Sequence, residues 1–164
     1  MKTLYIIRHA KSEWEDSSLP DFDRKLSNRG DHDTALMSNL LFAKDVTVEK
    51  IISSPAKRAR TTGKIFANRF GINKNEIQLE KKMYEASQKT LLEIIHQIDD
   101  AVSSVMLFGH NPGLTSLVNY LGANIDNFPT CAIAAFEFDV DTWKDAEVGN
   151  FLFYEFPKKY EKEE

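Results

Sequence analysis

Two arginines and two histidines hold the chemistry that this sequence offers. Arg8 and His9 follow the apolar run Thr3–Ile7, Arg58 comes shortly after the run Val48–Ser53, and His110 comes just after Ser104–Phe108. A guanidinium is permanently charged and forks onto two oxygens of a phosphate. An imidazole near neutral pH is a nucleophile or a proton carrier. Taken singly, each has a plainer reading. An Arg-His pair can be a surface accident, Gly109-His110-Asn111-Pro112-Gly113 can be a turn with a satisfied histidine, and Lys57, Arg58, Arg60 and Lys64 can be a solvated helix face. Taken together, each behind an apolar run, they suit a tetrahedral oxyanion. A helix beginning near Pro112 would add backbone N–H groups and the positive end of its dipole.

For these side chains to meet, the runs before them must be strands of one sheet whose carboxyl ends share an edge, where ligands bind in open α/β sheets. The rest of the sequence supplies such a sheet. Residues 10–26 read as a polar loop. Ser27 is placed to cap a helix that runs to about residue 44 with Ala35, Leu36, Leu40 and Phe42/Ala43 as its stripe. A second helix spans roughly 56–69, with Ala59, Thr62/Gly63, Phe66 and Ala67 on one side and Gly71 as its stop. Glu76–Leu79 reads as a further strand, residues 88–98 as a third helix, and Asn111-Pro112 as the start of a fourth that ends near Leu121. Ala132–Val140 and Asn150–Phe156 read as closing strands that form a hairpin, and Pro157–Glu164 as a charged, frayed tail. The alternation predicts an α/β three-layer sandwich, with helices on both faces of a mostly parallel sheet, as a single domain over residues 1–164.

Three segments resemble the signatures of the histidine phosphatase superfamily, also called phosphoglycerate mutase-like. They are Arg8-His9-Ala10-Lys11-Ser12, Ser53-Ser54-Pro55-Ala56-Lys57-Arg58-Ala59-Arg60-Thr61-Thr62 and Phe108-Gly109-His110-Asn111-Pro112-Gly113. The short chain, the stretch Asp23-Arg24…Leu26-Ser27…Arg29-Gly30 and Met83-Tyr84-Glu85-Ala86 are most similar to the SixA-type phosphohistidine phosphatase branch. The resemblance implies that His9 takes the phosphoryl group and that water then hydrolyses the phosphohistidine. It implies a clamp of Arg8, Arg58 and His110 on the phosphoryl oxygens, in which Arg8, Arg58 and any protonated His110 also lower the pKa of His9. Glu85 is the candidate proton donor to the leaving group, Ser12 and Asn111 are candidate further phosphate donors, and Lys11 adds positive potential at the mouth. Trp14 either lines the mouth or packs in the core. Where family mutases carry Trp-Asn, this chain has Trp14-Glu15, and it lacks the length that encloses a three-carbon bisphosphate. An open pocket for a phosphorylated side chain of a protein is therefore expected. The alternatives are a phosphomonoesterase for a sugar phosphate or nucleotide, and a phosphate-binding module without catalysis.

The 164 residues are 42% apolar and 28% charged, enough for one core and too apolar for a disordered chain. The single cysteine, Cys131, excludes an internal disulfide. There is no Walker loop and no His-Glu-x-x-His, so no metal or other cofactor is expected, and His32 and His96 are expected to face solvent. The net charge of −4 argues against a nucleic-acid partner, despite the basic run 57–64. No apolar run is long enough to cross a bilayer, and Met1-Lys2 leads straight into a strand, so no membrane partner and a cytoplasmic location are expected. A monomer fits the sequence, which does not fix the oligomeric state.

Overall fold

The computed structural model describes residues 1–161. Its frame is a six-stranded sheet in the order β3-β2-β4-β1-β5-β6. The strands are β1 Lys2–Arg8, β2 Lys50–Ser53, β3 Gln78–Leu79, β4 Ser104–Gly109, β5 Ile133–Phe138 and β6 Asn150–Glu155. The first four run parallel to one another, and β5 and β6 are antiparallel additions at one side. Helices α1 Asn28–Ala43 and α2 Lys57–Arg69 cover one face, and α3 Gln88–His96 and α4 Gly113–Leu121 cover the other. The α/β sandwich with a mostly parallel sheet is thus as the sequence predicts.

The two faces follow from the period of a strand, which sends successive side chains to opposite sides. Leu4 and Ile6 of β1, Ile52 of β2 and Val105 and Leu107 of β4 join the core under α3 and α4. Tyr5, Ile7, Ile51, Met106 and Phe108 join the core under α1 and α2. Both faces of the central strands are buried, which is why these segments read as unbroken apolar runs rather than alternating ones. In α2, Ala59, Thr62, Gly63, Phe66 and Ala67 form the buried stripe read from the sequence.

The pairing register sets up the site. Arg8 lies opposite Gly109 and Ser53 opposite Phe108, so the carboxyl ends of β1, β4 and β2 finish side by side. The loop after β1 is tied down at once. Ser27 caps α1 by accepting from the Gly30 N–H, and both its own N–H and its hydroxyl donate to the Lys11 carbonyl. A Cβ at Gly30 would sit 2.1 Å from that carbonyl oxygen, so only glycine lets α1 approach the loop so closely.

Several details depart from the sequence reading. In α1 the buried face is made by Gly30, Asp33, Thr34, Met37, Ser38 and Leu41, whereas Ala35, Phe42 and Ala43 of the expected stripe are exposed, and the strand expected over Glu76–Leu79 shortens to Gln78–Leu79 behind a 3-10 turn at Lys74–Glu76. Pro112 is the N-cap of α4 rather than its first helical residue. His96 is half-buried and bonds the Ala146 carbonyl through Nε2 at 2.7 Å, whereas His32 is exposed as expected. His96 turns inward because the loop before β6 folds over the end of α3 and offers it an acceptor. Pro157–Tyr160 form a 3-10 turn that packs on α1, and Glu161 pairs with Arg29. The remainder of the tail, 162–164, lies outside the described residues.

Candidate active site

Arg8, His9, Arg58 and His110 line one open cavity of about 260 Å³ at the carboxyl ends of β1, β2 and β4, together with Lys11, Ser12, Trp14, Arg24, Asn111 and Thr130. The four residues singled out from the sequence are therefore brought together. The His9 and His110 rings lie 5.1 Å apart, centroid to centroid. Tyr84 stands edge-on against His110 at 5.7 Å.

His9 is held by its own loop. Its backbone N–H donates to the Gly109 carbonyl, and Nδ1 lies 2.7 Å from the Ala10 carbonyl. A carbonyl oxygen only accepts, so Nδ1 carries the proton and Nε2 carries the lone pair. Ala10 is fixed in turn by Thr62 of α2, whose hydroxyl accepts from the Ala10 N–H at 3.1 Å and donates to the Arg58 carbonyl at 2.7 Å. Thr62, the last residue of the second family-like segment, is thus the brace between the two arms of the site. Cys131, at φ +60°, donates its N–H to the carbonyls of both Arg8 and His9. A non-glycine residue held in the left-handed region costs energy that the surrounding contacts must offset, and such positions gather near functional sites.

Burial is the main force on both imidazoles. His9 is pushed down to about 3, first by burial and then by His110, Arg58 and Arg8, with only the bond to Ala10 opposing. His110 is pushed down to about 4 by burial, Arg58 and Arg8, while Asp21 pulls the other way. Both are neutral at pH 7 in the unliganded site. Desolvation among guanidinium groups keeps His110 uncharged, so the standing cations beside His9 are Arg8 and Arg58. Its Nε2 shares a 2.7 Å hydrogen bond with the Ser54 hydroxyl.

Arg58 is held by a residue absent from the sequence reading. Its Nη1 donates to the Asp21 carbonyl at 2.7 Å and its Nη2 to Asp21 Oδ2 at 3.0 Å. The same carboxylate accepts from Tyr84 OH at 2.6 Å and from Arg24 Nη2 at 2.8 Å. These donors hold Asp21 well below the usual carboxylate range. Arg24 also donates to Ser12 Oγ and stacks on the Trp14 ring, 3.4 Å from its centroid. Trp14 is 74% exposed, so it belongs to the mouth and not to the core. Arg8 reaches across to the Phe128 carbonyl at 3.1 Å. Arg24 and Tyr84 lie in two of the stretches that carry the family resemblance, without a role read for either, and Asp21 left only the spacing of an aspartate three residues before an arginine.

Three expected members of the site stand elsewhere or are already engaged. Glu85 is exposed and is not among the residues that line the cavity. The chain turns at φ +58° there, and its neighbour Tyr84 is the residue that faces the site. Asn111 lines the cavity, but its amide donates to Phe128 O at 2.8 Å and to Asn127, and its oxygen caps α4 by accepting from Thr115. It therefore steadies the carbonyl that Arg8 grips, with no amide hydrogen left for an anion. At the start of α4, the Leu114 N–H donates to the His110 carbonyl and the Thr115 N–H to Asn111, so the anticipated row of free N–H groups is reduced to that of Gly113. Ser12 and Lys11 are placed as expected.

Among the described residues, the buried side-chain nitrogens without a partner are Arg8 Nε, Arg58 Nε and His110 Nδ1. All three belong to this cavity. Buried polar groups are otherwise paired almost without exception, so three orphans in one place mark a site built for a ligand that accepts hydrogen bonds. A model of the histidine phosphatase superfamily (branch 1) matches residues 4–100. The chain belongs to the histidine phosphatase superfamily. Its fold superposes on a protein histidine phosphatase SixA solved with tungstate, with a TM-score of 0.83, 22% identity and coverage of 97% of this chain and 99% of that one. It also superposes on the putative phosphohistidine phosphatase SixA of Agrobacterium tumefaciens, with a TM-score of 0.81, 28% identity and coverage of 95% and 98%. Among curated sequences it is 29% identical over 153 residues to an uncharacterized chloroplastic protein of Arabidopsis thaliana, covering 88% of this chain and 70% of the relative. An uncharacterized protein of Mycobacterium tuberculosis is 29% identical over 154 residues, covering 87% and 93%.

Proposed function

We propose that this histidine phosphatase removes phosphate from phosphohistidine, or from another phosphorylated side chain of a protein, through a phosphohistidine on its own His9. The single observation that carries the reading is the cluster of unpartnered side-chain nitrogens, two of them guanidinium donors, around a histidine whose Nε2 lone pair is fixed by the Nδ1–Ala10 bond. In the first step Nε2 attacks phosphorus in line, the bond from phosphorus to the leaving group breaks, and the leaving nitrogen or oxygen keeps the electron pair and takes a proton. In the second step water attacks phosphorus, the P–Nε2 bond breaks, and inorganic phosphate leaves. Arg8 and Arg58 carry the charge that develops on the phosphoryl oxygens, and Ser12 and Arg24 extend the same clamp. His110 starts neutral, and the arrival of an anion favours its protonation, so it becomes a charged donor only when substrate is present.

Fixed guanidinium groups supply the electrostatic stabilisation, so turnover requires no metal in this reading. Asp21 is held ionised and gives no proton near neutrality. The leaving nitrogen of a phosphohistidine has little need of a side-chain acid, which fits a site whose nearest carboxylates are an ionised Asp21 and an outlying Glu85. A second reading, a small phosphorylated metabolite, is favoured by one feature. A larger cavity of about 400 Å³ shares Lys11 and Thr130 with the phosphate cavity and has Tyr154, Phe156 and Pro157 in its walls. The test is phosphate release from a phosphohistidine-bearing carrier protein in EDTA, for the wild type beside His9→Ala. Turnover that survives EDTA and disappears in the variant supports the reading. Turnover that is equal in both refutes it.

A further inference from the structure

The charge of this protein is distributed very unevenly. Residues 57–84 hold eight Lys and Arg against two Asp and Glu, a net +6 in a chain whose net charge is −4. The remaining residues therefore carry −10. In the fold this basic segment is one continuous face, made of the outer side of α2, the edge strand β3 and the strap that leads from β3 to Tyr84.

Lys57, Arg60, Lys64, Lys74, Lys81 and Lys82 on this face make no ion pair and no side-chain hydrogen bond among the described residues. Elsewhere many cations are engaged: Lys2 donates to the carbonyls of Asp100 and Val102, and Lys25, Lys44, Arg29 and Lys159 each pair with a carboxylate, while Lys50, Lys144 and Lys158, unpaired among the described residues, stand singly rather than in one basic stretch of chain. A hollow of about 270 Å³ lies within the basic face, with Arg60, Lys64 and Lys74 around Ile77 and Leu79. Leu79 is 51% exposed beside them, an apolar centre inside a charged rim.

Both ends of the face reach the phosphate site. Lys57 precedes Arg58, and Lys81 and Lys82 precede Tyr84, which bonds the same Asp21 that holds Arg58. The Glu80 N–H joins this strap to Ser53 at the carboxyl end of β2. Yet none of the six cations lines the phosphate cavity. A metabolite seated in that cavity would leave them unused, whereas a macromolecule presenting its phosphoryl group there would lie across them.

We propose that this face docks the acidic surface surrounding the phosphorylated side chain of a substrate protein, an inference that rests on the phosphoprotein reading above. An acidic partner is repelled by the net −10 of the rest of the sequence and attracted by this face and the cationic cavity beside it, so the charge asymmetry also orients its approach. Rim charges of this kind act mainly on the association rate and its salt dependence, because exposed charges are screened beyond about 8 Å at physiological ionic strength.

The test compares the wild type with the triple variant Lys64→Glu, Lys74→Glu, Lys82→Glu, whose side chains are all exposed and outside the phosphate cavity. Two substrates are used at low and physiological salt: phosphoramidate, and a strongly acidic phosphotransfer domain phosphorylated on its histidine. The expected result is a fall of about tenfold or more in kcat/KM for the phosphoprotein at low salt, with phosphoramidate turnover unchanged. Equal phosphoprotein turnover by both proteins overturns the docking face and leaves the phosphatase reading intact. Wild-type turnover of phosphoramidate but not of the phosphoprotein overturns the docking face and assigns the site to small substrates. Turnover of neither substrate overturns the phosphatase reading and the docking face with it. A variant that loses affinity only for single-stranded nucleic acid, with phosphoprotein turnover untouched, also overturns the proposal.

Discussion

Thr62→Val removes one hydroxyl and nothing else from the interior. Thr62 is fully buried, and valine fills the same space, so no cavity forms. The loss falls on the buried Ala10 N–H, whose acceptor is Thr62 Oγ1 at 3.1 Å. The Arg58 carbonyl, which the hydroxyl also bonds, keeps its main-chain partner one turn along α2. One buried donor left without an acceptor costs about 1–3 kcal/mol. At roughly 2–4 °C per kcal/mol for a domain of this size, Tm falls by about 4–8 °C for a loss near the middle of that range. Activity suffers separately, because Ala10 is the residue whose carbonyl fixes the tautomer of His9. Misplacement of a nucleophile by an ångström is worth up to about 100-fold, so kcat should drop by roughly tenfold or more while KM, set by the arginines, stays close to the wild-type value. Thr62→Ser keeps the hydroxyl and loses only a methyl group, so it should retain kcat despite a lower Tm. Thermal unfolding and steady-state kinetics on phosphoramidate read both effects. A valine variant with wild-type Tm and kcat, or a serine variant as slow as the valine, would refute the brace.

Asp21→Asn leaves one carbonyl oxygen for donors that now use two, and turns an amide toward Arg58 or Arg24. Because the carboxylate is about half exposed, stability should change by no more than about 1 kcal/mol, whereas kcat should fall by roughly tenfold with no weakening of inorganic phosphate as a competitive inhibitor. An unchanged kcat would remove Asp21 from the site. Glu85→Gln should leave kcat within about twofold, and a loss of 100-fold or more would restore Glu85 as the general acid. His9 and His110 should show no protonation down to about pH 5 in an NMR titration of the free protein, and a transition near 6.5 in either would contradict its burial. Their pKa values are lower folded than unfolded, so the native state binds fewer protons than the unfolded chain. The stability they contribute is therefore complete above about pH 6.5 and is lost as pH falls toward 4 and 3. Urea unfolding between pH 7 and pH 4 checks the sign, and a protein more stable at pH 4.5 than at pH 7 would reverse it.

What was legible in the sequence was whatever local pattern determines. Ile6, Ile7, Leu107 and Phe108 announce buried parallel strands, Ser27 announces a cap, and Arg8, His9, Arg58 and His110 stand at fixed offsets from those strands. Their convergence follows from a general property of parallel sheets, that carboxyl ends share an edge. Asp21, Arg24 and Tyr84 depend on how the 10–26 loop folds back over α2 and how the strap after β3 meets it, and no local signal encodes that meeting. The fate of Asn111 was hidden for a related reason. An asparagine beside a phosphate site reads as a donor until the loop at 127–128 arrives and takes both of its amide hydrogens. The charge state of His110 stays open in the sequence, which displays the neighbouring arginines but not the depth of burial, and burial is the larger effect.

The central claim is that Nε2 of His9 becomes the phosphorylated atom. It is tested most directly by quenching the enzyme in alkali during turnover of phosphoramidate, isolating the peptide that contains Arg8-His9-Ala10, and assigning the phosphorylated nitrogen by ³¹P NMR. A phosphohistidine on Nε2 of residue 9, absent from His9→Ala, is the expected result. Phosphate on Nδ1, on His110, or on neither histidine while turnover proceeds would contradict the mechanism.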